Sequence, residues 1–187
     1  MHKPLAGRKV AILVGNGFDE IQMTDCQRAL LGAGATVKIV STASGLVNGW
    51  QGKGWGHYYP VDQPVAETLA ADFDMLYLPG GERSLTKLLE TAHTVRIVRG
   101  FRDAGKPVAA IGSGIDLLIA SDRIVGAEIS TSECNAAKAA AVGAKPSQEP
   151  ITQDGNLLTA RDDAELATFI AQALEMFASS ESLRSAA

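Results

Sequence analysis

The side chains able to do covalent or acid–base chemistry in this 187-residue chain cluster beside glycines at the ends of short apolar runs. The segment Lys106-Pro-Val-Ala-Ala-Ile-Gly112-Ser113-Gly114-Ile115-Asp116 reads as a buried strand turning sharply into a helix. Such a bend is where α/β hydrolytic enzymes display a nucleophile. Its apex is Gly112, which has no side chain with which to attack. Ser113 carries a hydroxyl one residue later, but no histidine occupies a motif position beside it. The S-x-x-D pattern of Ser113 and Asp116 instead predicts a helix N-terminal capping box, and that reading is preferred over a nucleophile. Cys134, in Thr131-Ser132-Glu133-Cys134, is a candidate substitute nucleophile, although repulsion between Glu133 and a thiolate would raise the thiol pKa and blunt it. Cys26 is expected to be a small packed hydrophobe.

Four further groups could contribute to a site. Gly80 and Gly81, after Pro79, could aim backbone N–H groups at a developing oxyanion, or simply make a tight turn. Asp19, Glu20, Gln22 and Glu133 could line a polar or acidic pocket for a small cationic or hydrogen-bonding ligand. Asp19 and Glu20 equally suit the first turn of a helix, and this blander reading is favoured. His57, Trp50, Trp55, Tyr58 and Tyr59 fall in an irregular glycine-rich stretch, where aromatics more often pack on the domain or at a subunit contact than form a binding platform. His2 and His93 carry no functional claim, and no Cys/His cluster has zinc-ligand spacing, so neither a metal nor a cofactor is expected.

The elements that must position these residues follow from apolar patterning. Residues 8–15 form a continuous apolar run ending in glycine, as for a strand buried on both faces of a parallel sheet. A helix over 19–31 stops at Gly32 and Gly34, and 36–41 is a second strand. Residues 44–60 read as short strands or hairpins. Strand returns at 73–78, a helical segment spans about 84–104, and 107–111 is the strand before the bend. A helix follows at 115–120, then short strands near Ile124 and at 128–130, and a helix over 135–142. Asp154-Gly155 predicts a hairpin within 149–159, and 163–178 is an amphipathic helix. Strands alternating with helices predict a flavodoxin-like, doubly wound α/β sandwich with a mainly parallel central sheet and helices on both faces. Ligands in such sheets bind beyond the strand carboxyl ends, which gathers residues 16–22, 79–82 and 112–114 at one rim.

Bulk properties narrow the class. The length fits one domain, assigned to residues 1–178 with a frayed tail over 179–187. A formal charge of −4, with 46% hydrophobic and 20% charged residues, gives no basic footprint for nucleic acid. No segment has the apolar length of a membrane span, and the polar N-terminus lacks the features of a signal peptide, so a cytoplasmic location is expected.

Gly7-Arg-Lys-Val-Ala-Ile-Leu-Val14, Gly17-Phe-Asp-Glu-Ile-Gln22, Phe73-Asp-Met-Leu-Tyr-Leu-Pro-Gly-Gly81, Gly105-Lys-Pro-Val-Ala-Ala-Ile111, Thr131-Ser132 and Asp154-Gly-Asn-Leu-Leu-Thr-Ala-Arg161 resemble, in order and spacing, the ThiJ/PfpI family of the class I glutamine amidotransferase-like superfamily. The resemblance is closest to its bacterial PfpI-type branch of proteases, amidases, glyoxalases and deglycases. It implies a nucleophilic cysteine and a histidine at positions 112 and 113, where this chain has Gly112 and Ser113. The family's acid that bonds the cysteine falls at Gln22, another acid at Asp19, and a pocket tyrosine at Glu133. With no thiol to tune, a neutral glutamine is an acceptable replacement, and glycine relaxes an otherwise strained apex. The expected pocket comprises Asp19, Gln22, Gly80, Gly81, Gly112, Ser113, Gly114 and Glu133. The expected function is that of a catalytically degenerate relative: a ligand-binding, stress-related or assembly module, homodimeric or larger as the resemblance implies, with a small molecule at the rim. The alternative is an enzyme acting on small carbonyl or amide substrates by a changed mechanism through Asp19, Glu133, Cys134 or Ser113. A third reading likens the chain to the flavodoxin-like C-terminal domain of large catalases.

Overall fold

The computed structural model describes residues 3–180, so Met1, His2 and all but the first two residues of the expected tail lie outside the described residues. The first strand, β1 (Lys9–Val14), is buried along all but its first residue, as its unbroken apolar run requires. After it come β2 (Phe18–Asp19), α1 (Glu20–Gly32), β3 (Thr36–Ser41), β4 (Leu46–Trp50), β5 (Trp55–Pro60) and β6 (Gln63–Pro64). The middle of the chain supplies β7 (Met75–Leu78), α2 (Glu82–Leu89), α3 (Ala92–Asp103), β8 (Val108–Ile111) and α4 (Ile115–Ser121). The last third adds β9 (Glu128–Ser130), α5 (Glu133–Ala141), β10 (Lys145–Ser147), β11 (Ile151–Asp154), β12 (Leu157–Ala160) and α6 (Leu166–Ser179).

Seven strands form the main sheet in the order β11-β12-β8-β7-β1-β3-β6, with every pair parallel except the β11–β12 hairpin. Period-two alternation sorts the strand residues between two faces. Val10, Ile12, Met75, Tyr77 and Ile111 pack on one side with Met23, Cys26 and Leu30 of α1 and Phe169, Ala173 and Phe177 of α6. Ala11, Leu13, Leu76, Val108 and Ala110 pack on the other with Leu88, Ile97, Phe101, Leu117 and Ala139 of α2 to α5. This is the doubly wound α/β sandwich expected from the sequence. The chain runs from β1 outward to β3 and then crosses back to β7 on the other side of β1. A crevice therefore opens between the carboxyl ends of β1 and β7.

Three local expectations are corrected. The helical stretch expected over 84–104 is two helices, because Thr91 starts a new one as its N-cap, its hydroxyl accepting from the N–H of His93 at 3.3 Å. Ile124 is buried but lies in no strand, and β9 pairs in parallel with β10 in a separate two-stranded sheet. The capping box does not form. Ser113 lies in a short 3-10 turn over Gly112–Gly114, the N-cap of α4 is Gly114, and Asp116 instead accepts from Asn135 Nδ2 at 2.7 Å. The glycine-rich stretch does pair as a hairpin, β4 with β5, and β2 joins it at the other edge of β4.

Candidate functional site

Gly112 directly follows β8 with φ +58°, in the left-handed region that disfavours any residue bearing a Cβ. Space is not the constraint there. A Cβ built on Gly112 would have only the side-chain amide of Gln22 within 4 Å, with Nε2 at 3.8 Å and Oε1 at 3.9 Å. The bend is thus intact and open above its apex. Gly114, expected to line the pocket, is packed beneath it, since an added Cβ would collide with the backbone of Leu78 and Pro79.

The Gly80–Gly81 turn after β7 reaches the same point. Gly81 adopts φ +122° and passes so close to Gly17 and Phe18 that a Cβ would lie 2.6 Å from the backbone of each. Its two N–H groups are both engaged by side chains. Gly80 N–H donates to Gln22 Oε1 at 2.8 Å, and Gly81 N–H donates to Ser113 Oγ at 2.8 Å. Residues 22 and 113 therefore close onto the donors that could otherwise face an oxyanion. Gln22 is 6% exposed and is further held by its backbone carbonyl, which accepts from Tyr77 OH at 2.8 Å. With Oε1 fixed on Gly80, the remaining polar atom of Gln22 is Nε2, which has no hydrogen-bond partner among the described residues and lies near the space above Gly112.

A cavity of about 370 Å³ opens over Gly112 and Ser113, bordered by Asp19 and Gln22 on one side and Ser132 and Asn135 on another. Glu82, Arg161, Asp162 and Asp163 complete it. A second lobe of about 270 Å³ shares Asp19, Gln22, Glu82 and Ser113 and extends past Gly80 and Gly81 to Gly17, Trp50 and Arg83. Asp19 both starts a helix and borders the cavity. It is the N-cap of α1, its Oδ1 accepting from Gln22 N–H at 3.0 Å, and it also faces the cavity. Burial pushes its carboxyl above the ordinary aspartate value, the Gln22 N–H opposes that, and the negative charge of Asp163 adds to the rise.

Glu133 and Cys134, the other expected participants, do not border the cavity; Ser132, the N-cap of α5, and Asn135 within α5 do, and Cys134 is exposed. Cys26 is buried in the core, which pushes its thiol far above the ordinary value. Neither His57 nor His93 borders the cavity, so among the described residues Ser113 has no imidazole beside it. Among the described residues no group of three or more His, Cys, Asp or Glu is arranged to hold a metal ion, and no helix is long and apolar enough to cross a membrane.

Sequence reasoning missed Arg161-Asp162-Asp163. β12 is parallel to β8, so its carboxyl end opens on the same rim, and the placement rule applied to β12 would have found all three. It also missed the partner of Glu20. That carboxylate is buried against the β4–β5 hairpin, accepting from His57 N–H at 2.8 Å, Gln51 Nε2 at 3.0 Å and Tyr59 OH at 3.0 Å, with His57 Nδ1 2.5 Å away. Burial pushes the Glu20 carboxyl up, but these donors outweigh it and hold it below the usual glutamate value. The same environment pushes the Tyr59 phenol up to about 12.

The pattern of the DJ-1/PfpI family matches residues 8–176. Protein/nucleic acid deglycase 2 of Escherichia coli (strain K12) is 30% identical over 171 residues, 90% of this chain and 97% of that protein. Deglycase TK1284 of Thermococcus kodakarensis is 28% identical, over 84% of this chain and 92% of that one. Among solved structures, a two-domain protein of Anabaena variabilis with DJ-1/ThiJ/PfpI-like and ferritin-like domains superimposes with a TM-score of 0.82 at 28% identity. It is matched over 90% of this chain and 49% of its own, so this chain spans about half of it. A fold built on a bend at the end of β8, a glycine turn at the end of β7 and an acid-capped α1, together with these matches, shows that the chain belongs to the DJ-1/PfpI family.

Proposed function

We propose that this protein is a small-molecule-binding member of its family that has left cysteine-dependent catalysis. One observation carries the reading: the apex of the bend is Gly112, and among the described residues no thiol or imidazole borders the cavity above it. Engagement of both glycine-turn amides by Gln22 and Ser113 supports it, since a buried donor already satisfied gains little by exchanging partners. The cavity has the few-hundred-Å³ volume and convergent polar groups of a ligand site. The relatives named deglycases make the assay specific. Purified protein is expected to show no cysteine-dependent deglycase, glyoxalase or peptidase turnover. Turnover abolished by Cys134→Ala would overturn the reading and identify a relocated nucleophile.

A second reading keeps an enzyme with a changed mechanism, and the raised pKa of Asp19 at the cavity wall favours it, because burial makes that carboxyl a stronger proton acceptor than an ordinary aspartate. Turnover of a small carbonyl compound that survives Cys134→Ala and is lost in Asp19→Asn would select it. We also propose a homodimer or larger assembly working in the cytoplasm. Exposed Leu46, Trp55 and Tyr58 on the β4–β5 hairpin support self-association, and light scattering that returns the mass of one chain at micromolar concentration would count against it.

A further inference from the structure

The aromatic stretch of the β4–β5 hairpin divides between two faces. Tyr59 turns inward, its ring packed edge-on against Phe18 at 5.6 Å between centres and its hydroxyl on Glu20. Trp55 and Tyr58 stay 56% and 67% exposed, and with Asn16 and Asn48 they border a separate cavity of about 350 Å³. None of these four residues borders either lobe of the rim cleft. Between the pairs Asn48–Tyr58 and Trp50–Trp55 the register gains one residue on β5. That bulge lets Trp55 and Tyr58, which a regular strand would send to opposite faces, border one cavity.

The aromatic wall is set in advance. Trp55 packs edge-to-face with Trp50 at 5.4 Å between ring centres, and the Arg83 guanidinium lies 3.7 Å from the Trp50 ring centre. Asn48 is the polar centre of the cavity. It is more than nine-tenths buried, its backbone N–H donates to Asn16 Oδ1 at 2.9 Å, and its carbonyl accepts from Gly17 N–H at 2.8 Å. Its side-chain Oδ1, however, is buried with no hydrogen-bond partner among the described residues. An acceptor left in that state costs free energy that a bound donor would recover. Tyr58 stands opposite Asn48 on the same face, and as an exposed side chain it is free to turn aside and admit that donor. Asn16 Oδ1 is committed to Asn48, so the amide group it can offer a ligand is Nδ2, a donor. No charged side chain borders the cavity among the described residues.

We propose that this cavity binds a neutral sugar ring, a pyranose with one C–H face on the Trp55 indole and two vicinal hydroxyls on Asn48 and Asn16. A hydroxyl donates and accepts through one atom, so one of the pair donates to Asn48 Oδ1 while its neighbour accepts from Asn16 Nδ2. Neutrality follows from the walls, because no cation or anion there would offset the desolvation of a charged ligand. The site lies apart from the rim cleft and goes beyond the ligand-binding reading given to it.

Methyl glycosides are suitable probes, since their blocked anomeric carbon cannot react with lysines. Trp50 and Trp55 are the two tryptophans of the chain, so indole emission reports on this hairpin. At least one of methyl β-D-glucopyranoside, methyl β-D-galactopyranoside and methyl α-D-mannopyranoside is expected to shift that emission saturably at millimolar concentration, with calorimetry giving the affinity. Glycerol, with vicinal hydroxyls but no ring, and adenine, with adjacent donor and acceptor on a flat ring, should give no binding by calorimetry. Asn48→Leu removes the orphan acceptor at similar volume and should weaken glycoside binding by about tenfold or more. Its thermal midpoint should be unchanged or raised, because an unsatisfied buried group is lost. Trp55→Ala, at an exposed position, should also weaken binding by about tenfold, and it decides alone if Asn48→Leu does not fold. The inference is overturned if no glycoside binds, if adenine binds in preference to the glycosides, or if affinity is undiminished in the folded variants. A lowered midpoint with unchanged affinity in Asn48→Leu would mark that residue as structural and overturn it too. Light scattering that shows an assembly dissociating in Trp55→Ala, in a protein that binds no glycoside, would make this face a contact between copies instead.

Discussion

Gly112 and Gln22 meet at the rim, where the side-chain amide of Gln22 borders the open space over the Gly112 backbone. Gly112 occupies a left-handed backbone conformation with open space above it, so Gly112→Ala should lower stability by about 1 kcal/mol through backbone strain alone, without a packing defect. Denaturant unfolding at constant slope would check this, and a loss of more than about 3 kcal/mol would mean the space is not open. Gln22→Ala should cost more, roughly 1 to 3 kcal/mol, because it strips the buried Gly80 N–H of its acceptor. Gly112→Cys with Ser113→His restores the two side chains that the family resemblance implies, yet is expected to recover little turnover. Gln22 cannot supply the acid that tunes a thiolate, and the substitution of Ser113 also frees Gly81 N–H from its partner. Robust activity in that double variant would show the remaining scaffold to be catalytically organised.

Among the elements, the β4–β5 hairpin is tied to α1 through one buried carboxylate. Gly49 and Gly56 leave room for Glu20, since a Cβ at either would overlap its side chain, and the donors converge on it from His57, Gln51 and Tyr59. Because the folded pKa of Glu20 is depressed, its contribution to stability is present above the unfolded value near 4.5 and is lost as pH falls through the folded value. Stability should therefore decline below about pH 4.5, and Glu20→Gln should flatten that part of the acid limb while costing roughly 2 kcal/mol at neutral pH. Guanidinium unfolding of both proteins between pH 3 and 7 measures it; identical pH profiles would show that Glu20 does not anchor the hairpin.

Over the whole molecule, the two thiols have opposite environments. Cys26 is sealed on the buried face of α1 with its thiol pKa raised, and Cys134 is exposed on α5. A thiol-reactive chromophore should therefore label one cysteine rapidly in the native protein and both after unfolding; rapid native labelling of Cys26 would show that α1 opens readily from the sheet. Such a difference belongs to the assembled core, because the cluster that buries Cys26 draws Tyr77 of β7 and Phe169 and Phe177 of α6 from distant parts of the chain.

Much of this architecture was legible from local patterning. Unbroken apolar runs at β1, β7 and β8 can be satisfied only by a sheet covered on both faces, and the glycines ending them mark the rim where a site must lie. Gly112 at the apex is a fact of the sequence, and so is the lack of a thiol there. The hydrogen bonds of Ser113 and Gln22 were not legible. An S-x-x-D pattern looks the same whether its serine caps its own helix or reaches 32 residues back to Gly81, and only the approach of the β7 and β8 ends decides between them. For the same reason Glu20 read as a helix-start acid, although a hairpin some 37 residues onward supplies its donors. Patterning along a chain encodes which faces must be buried; which buried polar group meets which partner is set by contacts between segments that the sequence separates and only the packed sheet brings together.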